Sequence, residues 1–206
     1  MNARLAYLTG LLAALTVGLL TVIGGAFYPG FSHVSQFISE LGATDAPHAR
    51  LVNFGGFLPA GLLFVAFCWF AWRALPRTTA SGVGFLGLAL FGIGYVAATF
   101  FPCEPGCRSV NPSLAQTLHN LLGLAGYFTA PLSLLLLGRA ARRWPAGHYL
   151  APLGFVGAGL ALGGLLLLSP EFGYAGLAQR VLEGSVLTWV VACAFYLHRP
   201  VVVSAP

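Results

Sequence analysis

Lysine is absent from this sequence of 206 residues, and charged residues of every kind make up only 7% of it. Soluble domains carry about 25% charged residues, because polar groups must cover a surface that faces water. With so few charges and 58% hydrophobic residues, this chain cannot build such a surface. The composition excludes an ordinary soluble domain and predicts a protein surrounded largely by lipid.

DNA- and RNA-binding motifs are also absent, although the formal net charge is +5. The basic residues are all arginines in short segments beside apolar runs, where basic residues set membrane orientation. We therefore expect no nucleic-acid partner. Arginine without lysine, together with 27 glycines, indicates a GC-rich bacterial genome and hence the bacterial cytoplasmic membrane.

What the sequence does contain is six apolar runs, each close to the roughly 20 residues that a helix needs to cross a bilayer. They predict an all-α, polytopic membrane protein, a six-transmembrane-helix bundle that forms one integral membrane domain over residues 1–206. The GxxxG spacing of Gly159 and Gly163 is typical of a helix packing face, which we expect to lie within the bundle. The predicted spans are 5–27, 51–72, 81–101, 114–137, 149–168 and 180–197.

The arginines predict the orientation of these spans. Three of them, Arg50, Arg108 and Arg180, fall on one side, and seven fall on the other. Because basic residues are retained in the cytoplasm, we expect the seven-arginine side and both termini to be cytoplasmic. All five acids then fall on the extracytoplasmic side: Glu40, Asp45, Glu104, Glu171 and Glu183.

The segment after the first span has an amphipathic helical pattern that predicts an interfacial helix over residues 32–41. Ser32 can cap its start and Gly42 can end it. His33, Gln36 and Glu40 share one polar stripe of this helix, because they are spaced i, i+3 and i+7. The stripe is either a solvated face at the membrane surface or the inner face of a lid over a site.

Cys103 and Cys107 are separated by three residues that include a Pro-Gly pair, in a loop predicted to face an oxidising compartment. This spacing favours a local disulfide. A free or metal-bound pair and redox catalysis remain as alternatives. Quinone-linked thiol oxidoreductases need a second cysteine pair to relay electrons, whereas Cys68 and Cys193 lie toward the opposite side of the predicted bundle.

Polar side chains recur where the second, fourth and sixth spans begin. Glu183 lies about one turn inside an apolar run, where an unpaired charge costs up to about 2.5–3.5 kcal/mol, and Arg180 is its expected ion-pair partner. The pair is either structural or part of a site, and His119 is either a packing residue or a ligand. The candidate ligand-binding residues are His33, Gln36, Glu40, Asn53, His119, Asn120, Arg180 and Glu183.

Four stretches together resemble a bacterial and archaeal membrane family catalogued as domain of unknown function 998. They are Ser32-His-Val-Ser-Gln-Phe-Ile-Ser-Glu-Leu-Gly42, Phe101-Pro-Cys103, His119, and Gly176-Leu-Ala-Gln-Arg180. The resemblance covers nearly the whole chain. It implies a multi-helix membrane protein and emphasises Glu40, but it implies no chemistry.

The first functional hypothesis is a site at the extracytoplasmic end of the bundle that binds a lipid head group or small amphiphile, with membrane lipid as the partner. The second is a metal-dependent intramembrane hydrolase, with His33, His119, Glu40 and Glu183 as usable zinc ligands. A small transporter or an accessory structural subunit is a third class. The sequence does not decide whether the protein is an enzyme, implies no particular cofactor, and is compatible with a homo-oligomer.

Overall fold

A computed structural model describes residues 1–169 and 171–199. Within these residues the chain is entirely helical and contains no strand. Five helices are long and apolar enough to cross a membrane, and the shorter apolar helix Leu150–Leu166 accompanies them. The chain is therefore an integral membrane protein built as a helical bundle, as the composition predicts.

The helices follow the predicted apolar runs because, in lipid, a helix satisfies its own backbone hydrogen bonds. The largest difference from prediction is at the last helix, which begins five residues before the predicted start at Arg180 and so places Gln179 in its first turns. The helices are α1 (Asn2–Ala26), α2 (Ala49–Ala74), α3 (Thr79–Phe100), α4 (Leu114–Ala141), α5 (Leu150–Leu166) and α6 (Ala175–His198).

The six helices form a closed ring in chain order. Each packs against its neighbours in the sequence, and α6 returns to pack against α1. The side of α6 that faces the ring carries Trp189, which is completely buried and donates a hydrogen bond to the Leu150 carbonyl. Short connections place consecutive helices antiparallel. Helices α2, α4 and α6 therefore run in the same direction, and the polar residues at their starts lie at one end.

Glycines set the close helix contacts. A Cβ added at Gly126 of α4 would lie 2.7 Å from the Phe91 Cα of α3, and one at Gly154 of α5 would lie 2.7 Å from the Gly138 Cα of α4. The expectation for the GxxxG pair of α5 is wrong. A Cβ at Gly159 or at Gly163 meets no atom within 4 Å, because this face of α5 points away from the bundle.

Helix α2 begins with one α-helical turn, Ala49–Val52, which is followed by a π-helical turn, Asn53–Phe57, and by the α-helix Leu58–Ala74. The Asn53 side-chain amide donates to the Gly42 carbonyl at 2.9 Å, and the Thr99 hydroxyl of α3 donates to the Asn53 carbonyl at 3.2 Å. The predicted site residue Asn53 thus joins the loop after α1 to α2 and α3.

The predicted interfacial helix over 32–41 is wrong. The segment instead forms a turn at residues 33–35 and a short 3-10 helix, Ile38–Gly42, with Phe37 in an extended conformation between them. Side chains that hydrogen-bond to nearby backbone groups offer the backbone an alternative to helical hydrogen bonds. Here the Gln36 side chain accepts from the Ser32 N–H, and Glu40 accepts from the Phe37 N–H.

Three connections meet at the end of the bundle that carries this segment, which we call the polar end. The Thr44 N–H donates to the Cys103 carbonyl at 3.0 Å, and the Leu177 N–H donates to the Val34 carbonyl at 2.8 Å. These bonds join the loops after α1 and α3 and the start of α6. The opposite end carries aromatic–arginine contacts such as Arg77 over Trp72.

Candidate functional site

A cavity of about 320 Å³ lies below the loops of the polar end, among α2, α3, α4 and α6. Phe37 and Ile38 of the loop after α1 cover it, and Phe57 and Phe91 contribute apolar walls. Two of its wall helices, α3 and α4, are held together by the contact at Gly126. Its polar lining consists of Ser39, Tyr95, His119, Asn120, Tyr127, Gln179 and Glu183.

Glu183 lies at the centre of a buried hydrogen-bond network. Its side chain is only 3% exposed, and its two carboxylate oxygens accept from the hydroxyls of Tyr95 and Tyr127. Gln179 donates to the Tyr127 hydroxyl at 2.6 Å, so the Tyr127 proton is directed to Glu183. Two hydroxyl donors on separate oxygens fit an ionised, acceptor-only carboxylate.

The network continues to the loop that covers the cavity. The Gln179 side-chain oxygen accepts from the Ile38 N–H at 2.6 Å. A line of hydrogen bonds therefore connects Ile38, Gln179, Tyr127 and Glu183. Movement of the covering loop would change the hydrogen bonding of the buried carboxylate.

The expected ion pair between Arg180 and Glu183 is wrong. Arg180 donates to the carbonyls of Gln36 and Gly176, each at 2.8 Å, and to the His33 Nδ1 at 3.0 Å. Side chains on a helix lean toward its N-terminus. Arg180 therefore reaches up to the loop, whereas Glu183, one turn deeper, faces the hydroxyls of α3 and α4.

The polar stripe His33, Gln36 and Glu40 does not line the cavity. Glu40 is 6% exposed, but its oxygens accept from the Phe37 N–H and from the Gln36 side chain at 2.9 Å. Glu40 is therefore a structural acceptor inside its own loop. The same segment does cover a cavity, although with Phe37 and Ile38 rather than with the predicted polar stripe.

His33 is exposed at the rim and contacts Arg180. Partial burial, followed by the positive charge of Arg180, lowers the pKa of His33 below its usual range. Its Nδ1 accepts from a guanidinium that can only donate, so the fold favours the neutral imidazole.

His119 and Asn120 of α4 both line the cavity. The His119 Nδ1 lies 2.9 Å from the Phe101 carbonyl oxygen, and Asn120 accepts from the Gln116 side chain at 2.8 Å. Gln116 accepts in turn from the Glu104 N–H at 2.7 Å. Gln116 is thereby the link between the cysteine-containing loop and the start of α4.

Cys103 and Cys107 are joined in a disulfide with Cα atoms 5.0 Å apart, and Cys107 lines the cavity. Glu104, between them, accepts from the Ser113 N–H at 2.8 Å. Hydrogen bonds from the side chains of Ser109 and Ser113 lower the pKa of the half-buried Glu104. Glu104 is therefore a loop acceptor and not a member of the site.

The predicted metal ligands do not come together. His33 and Glu40 lie outside the cavity, while His119 and Glu183 line different parts of it and bind other partners. Among the described residues, the histidines, cysteines and acids that approach closely enough to share an ion are Cys103, Cys107 and His119. This set contains one of the four predicted ligands.

An apolar groove adjoins the cavity on the surface between α4 and α5. Leu124 and Leu168 line both spaces, so the groove begins where the cavity ends. Phe128, Pro131 and Leu162 continue it toward the middle of the bundle. The site therefore combines a small chamber, in which apolar walls surround the polar groups near Glu183, with an apolar groove that it meets at Leu124 and Leu168.

Tyr95, Tyr127 and the role of Gln179 were not predicted. A tyrosine inside an apolar span resembles an interfacial anchor or a packing residue when only the sequence is known. The available signal was that a buried tyrosine hydroxyl usually finds a hydrogen-bond partner. Glu183, a polar group expected at a similar depth in the bundle, also needed a hydrogen-bond partner.

The family model described as "Protein of unknown function (DUF998)" matches residues 10–196. These residues include the covering loop, the cavity and the buried network around Glu183. Neither the curated proteins nor the solved structures contain a significant match.

Proposed function

The chain belongs to the DUF998 family, and from the geometry of its cavity we propose that it binds the head group of a membrane amphiphile at the polar end. The observation that carries this proposal is the continuity of the chamber around Glu183 with the apolar groove between α4 and α5. A polar head and a single apolar tail match these two spaces.

The head group is uncharged or carries an amine. Glu183 is the acid that lines the chamber, and the guanidinium of Arg180 is turned away from it toward Gln36 and His33. A phosphate would lie against a buried carboxyl group that makes no hydrogen bond to a guanidinium, and like charges at close range repel. Hydroxyl or amine groups can exchange hydrogen bonds with Glu183, Asn120 and His119.

The tail lies against α4 and α5. The groove is lined by aliphatic side chains, one phenylalanine and one proline, and each buried CH₂ group contributes about 0.8 kcal/mol. A chamber of about 320 Å³ is at the small end of ligand sites, which span roughly 300–1,000 Å³. It therefore holds a head group while the tail stays outside the ring.

The location follows the arginine distribution. Seven arginines fall at the end opposite the cavity. Because basic residues tend to stay in the cytoplasm, this distribution supports an extracytoplasmic position for the polar end. The amphiphile would enter from that leaflet. The presence of a built cavity favours binding over a purely structural role.

The test compares lipids that copurify with the protein from native membranes. Wild-type protein, purified in a mild detergent, should retain one species above its share of the bulk membrane lipids. Glu183→Gln should reduce that retention by roughly 10- to 100-fold, because hydrogen bonds to a charged group contribute about 1.5–3 kcal/mol. Native mass spectrometry and lipid extraction measure the bound species.

Two matched controls separate the head from the tail. Glu171→Gln changes an exposed acid at the same end and should leave retention unchanged. Leu162→Trp, in the groove, should weaken retention, whereas Leu160→Trp on the same helix but outside the groove should not. Bulk lipid composition in the wild type, or equal retention in folded Glu183→Gln, overturns the proposal.

A further inference from the structure

A second constellation lies at the rim of the cavity, separate from the Glu183 network. The two sulfurs of Cys103 and Cys107 and a ring nitrogen of His119 all lie within 4.8 Å of one another. In a tetrahedral zinc site, ligand atoms are separated by roughly 3.3–3.8 Å, given bonds of about 2.0–2.3 Å. Small side-chain movements would bring these three atoms to that spacing.

The histidine is held as metal-binding histidines usually are. A carbonyl oxygen only accepts, so the 2.9 Å contact of the His119 Nδ1 with Phe101 requires a proton on Nδ1. The lone pair of the neutral ring is then on Nε2. A backbone carbonyl that fixes the tautomer of a ligating imidazole is the common outer-shell arrangement around zinc.

The cysteine loop is built to bring its two side chains together. Gly106 has a φ of 68° and Cys107 a φ of 50°. A non-glycine residue in this left-handed region costs about 1–2 kcal/mol, and such conformations cluster at functional sites. Cys103 is fully buried, and its carbonyl is held by the Thr44 N–H at 3.0 Å.

The three candidate ligand atoms match a soft or borderline cation. Two thiolates and one imidazole suit Zn²⁺ and disfavour Mg²⁺ and Ca²⁺, which prefer oxygen ligands. Zn²⁺ with two thiolates carries no net charge, which suits a site at the end of an apolar bundle. Cys107 and His119 both line the cavity, so the fourth coordination position faces it.

We propose that Cys103, Cys107 and His119 form a redox-controlled site for Zn²⁺ or a similar thiophilic divalent cation, closed by the disulfide and opened by reduction. A dithiol reductant transfers two electrons to the disulfide, which yields two protein thiols and the oxidised reductant. Metal binding then releases two protons as the thiols become thiolates. The third ligand is the neutral His119, and water or the Ser39 hydroxyl, 3.2 Å from the Cys107 sulfur, completes the shell.

The experiment measures zinc binding by the full chain in detergent, before and after reduction. A phosphine reductant and water convert the disulfide to two thiols and phosphine oxide, and the excess is then removed anaerobically. Thiol titration verifies that the loop cysteines have been opened. Elemental analysis should then find one Zn²⁺ per reduced chain and none above background in the oxidised protein.

Variants identify the ligands. Cys103→Ser with Cys107→Ser should abolish binding, and His119→Ala should weaken it by at least roughly tenfold. Cys68→Ser with Cys193→Ser removes two buried thiols elsewhere and should leave binding unchanged. His48→Ala removes an exposed histidine at the same end and should also leave it unchanged.

The outcomes decide the proposal. Reduced wild type that binds no more zinc than the double loop variant overturns it, and so does a folded His119→Ala or His119→Gln variant with wild-type affinity. Size-exclusion chromatography and circular dichroism establish that each variant is folded. Elemental analysis counts zinc and not lipid, so a failure of this proposal is distinguishable from a failure of the amphiphile proposal.

Discussion

At the scale of single residues, Glu183 shows how a charge is accommodated in an apolar bundle. An ionised carboxylate removed from water is costly unless it is hydrogen-bonded. Tyr95 and Tyr127 supply hydroxyl donors, and Gln179 orients one of them. The result is a buried carboxyl group beside a cavity, with both of its oxygens hydrogen-bonded to hydroxyls.

His33 is expected to make the stability of the polar end depend on pH. Burial and Arg180 lower its pKa in the fold, so the unfolded chain binds the proton more readily. The contribution of the neutral His33–Arg180 contact is present above the unfolded pKa of about 6.5 and is lost as the pH falls through the lower folded-state pKa. The thermal unfolding temperature in detergent should therefore fall between pH 7.5 and pH 5.5.

The variant His33→Gln removes the titrating group and keeps an oxygen that can accept from Arg180. Its unfolding temperature should decrease less over the same pH interval than that of the wild type. His48→Gln, at an exposed histidine of the same end, serves as the control and should behave as the wild type. Equal pH dependence in wild type and His33→Gln would show that the contact does not contribute.

At the residue scale, the sequence indicated which groups were unusual but not which groups they contact. Glu183 stood out because charges are expensive in an apolar span. Its partners could not be inferred, since Tyr95 and Tyr127 come from different helices. Arg180 was the nearest opposite charge along the helix, yet its guanidinium donates to the loop after α1.

At the scale of elements, close helix approach decides which glycines are essential. Gly126 permits α4 to lie against the Phe91 backbone of α3, and the two helices form one wall of the cavity. Gly159 and Gly163 have the GxxxG spacing, but a Cβ added at either residue meets no atom within 4 Å. Spacing alone does not tell which face of a helix is turned inward.

Gly126→Ala is expected to lower the thermal unfolding temperature. Its Cβ would lie 2.7 Å from the Phe91 Cα, and the backbone must shift at a cost of about 1–3 kcal/mol. For a chain of this size that cost corresponds to a decrease of roughly 2–12 °C. A thermal unfolding curve in detergent measures it.

Gly159→Ala is the matched control, because its added methyl group meets no atom within 4 Å. Alanine favours a helix over glycine by roughly 0.5–1 kcal/mol, so this variant should be neutral or slightly more stable. If both variants destabilise equally, close approach at Gly126 is not the cause.

The helix predicted for the loop after α1 does not form, because local hydrogen bonds replace the helical ones. Its apolar and polar residues segregate at helical spacing, but Gln36 and Glu40 hydrogen-bond to nearby backbone groups instead of leaving them to a helix. Phe37 becomes extended and the 3-10 helix Ile38–Gly42 follows. The apolar members Phe37 and Ile38 still turn inward, so burial was predicted better than conformation.

At the scale of the whole molecule, the ring closes because α6 packs against α1. This closure brings the start of α6, with Gln179 and Glu183, beneath the loop after α1. The two ends of the ring differ in their charged residues. One carries the acids and the cavity, and the other carries most of the arginines.

We expect the arginine-rich end to lie in the cytoplasm. Cysteine introduced at exposed Asp45, at the polar end, should react in intact cells with a membrane-impermeant maleimide. Cysteine introduced at exposed Thr79, at the start of α3, should react only after permeabilisation. This orientation is expected because basic residues are retained in the cytoplasm.

The natural cysteines should react little with the maleimide, so background labelling is low. Cys68 and Cys193 are buried, and Cys103 and Cys107 are paired. The unsubstituted chain is the control and should remain unlabelled in intact cells. Labelling of the Thr79→Cys variant without permeabilisation, with none at Asp45→Cys, would reverse the orientation and place the cavity at the cytoplasmic face.

The sequence by itself determined that this is a helical membrane protein, that its six long apolar runs are helices, and that Glu183 needed a partner. These properties follow from local hydropathy, since each helix in lipid satisfies its own backbone and each buried charge has a cost. Only the tertiary structure decided that the partners are Tyr95 and Tyr127, that Arg180 serves the loop, and that His119 lies beside the two cysteines. Those contacts join residues far apart in the chain, and they depend on how the ring closes and which faces turn inward.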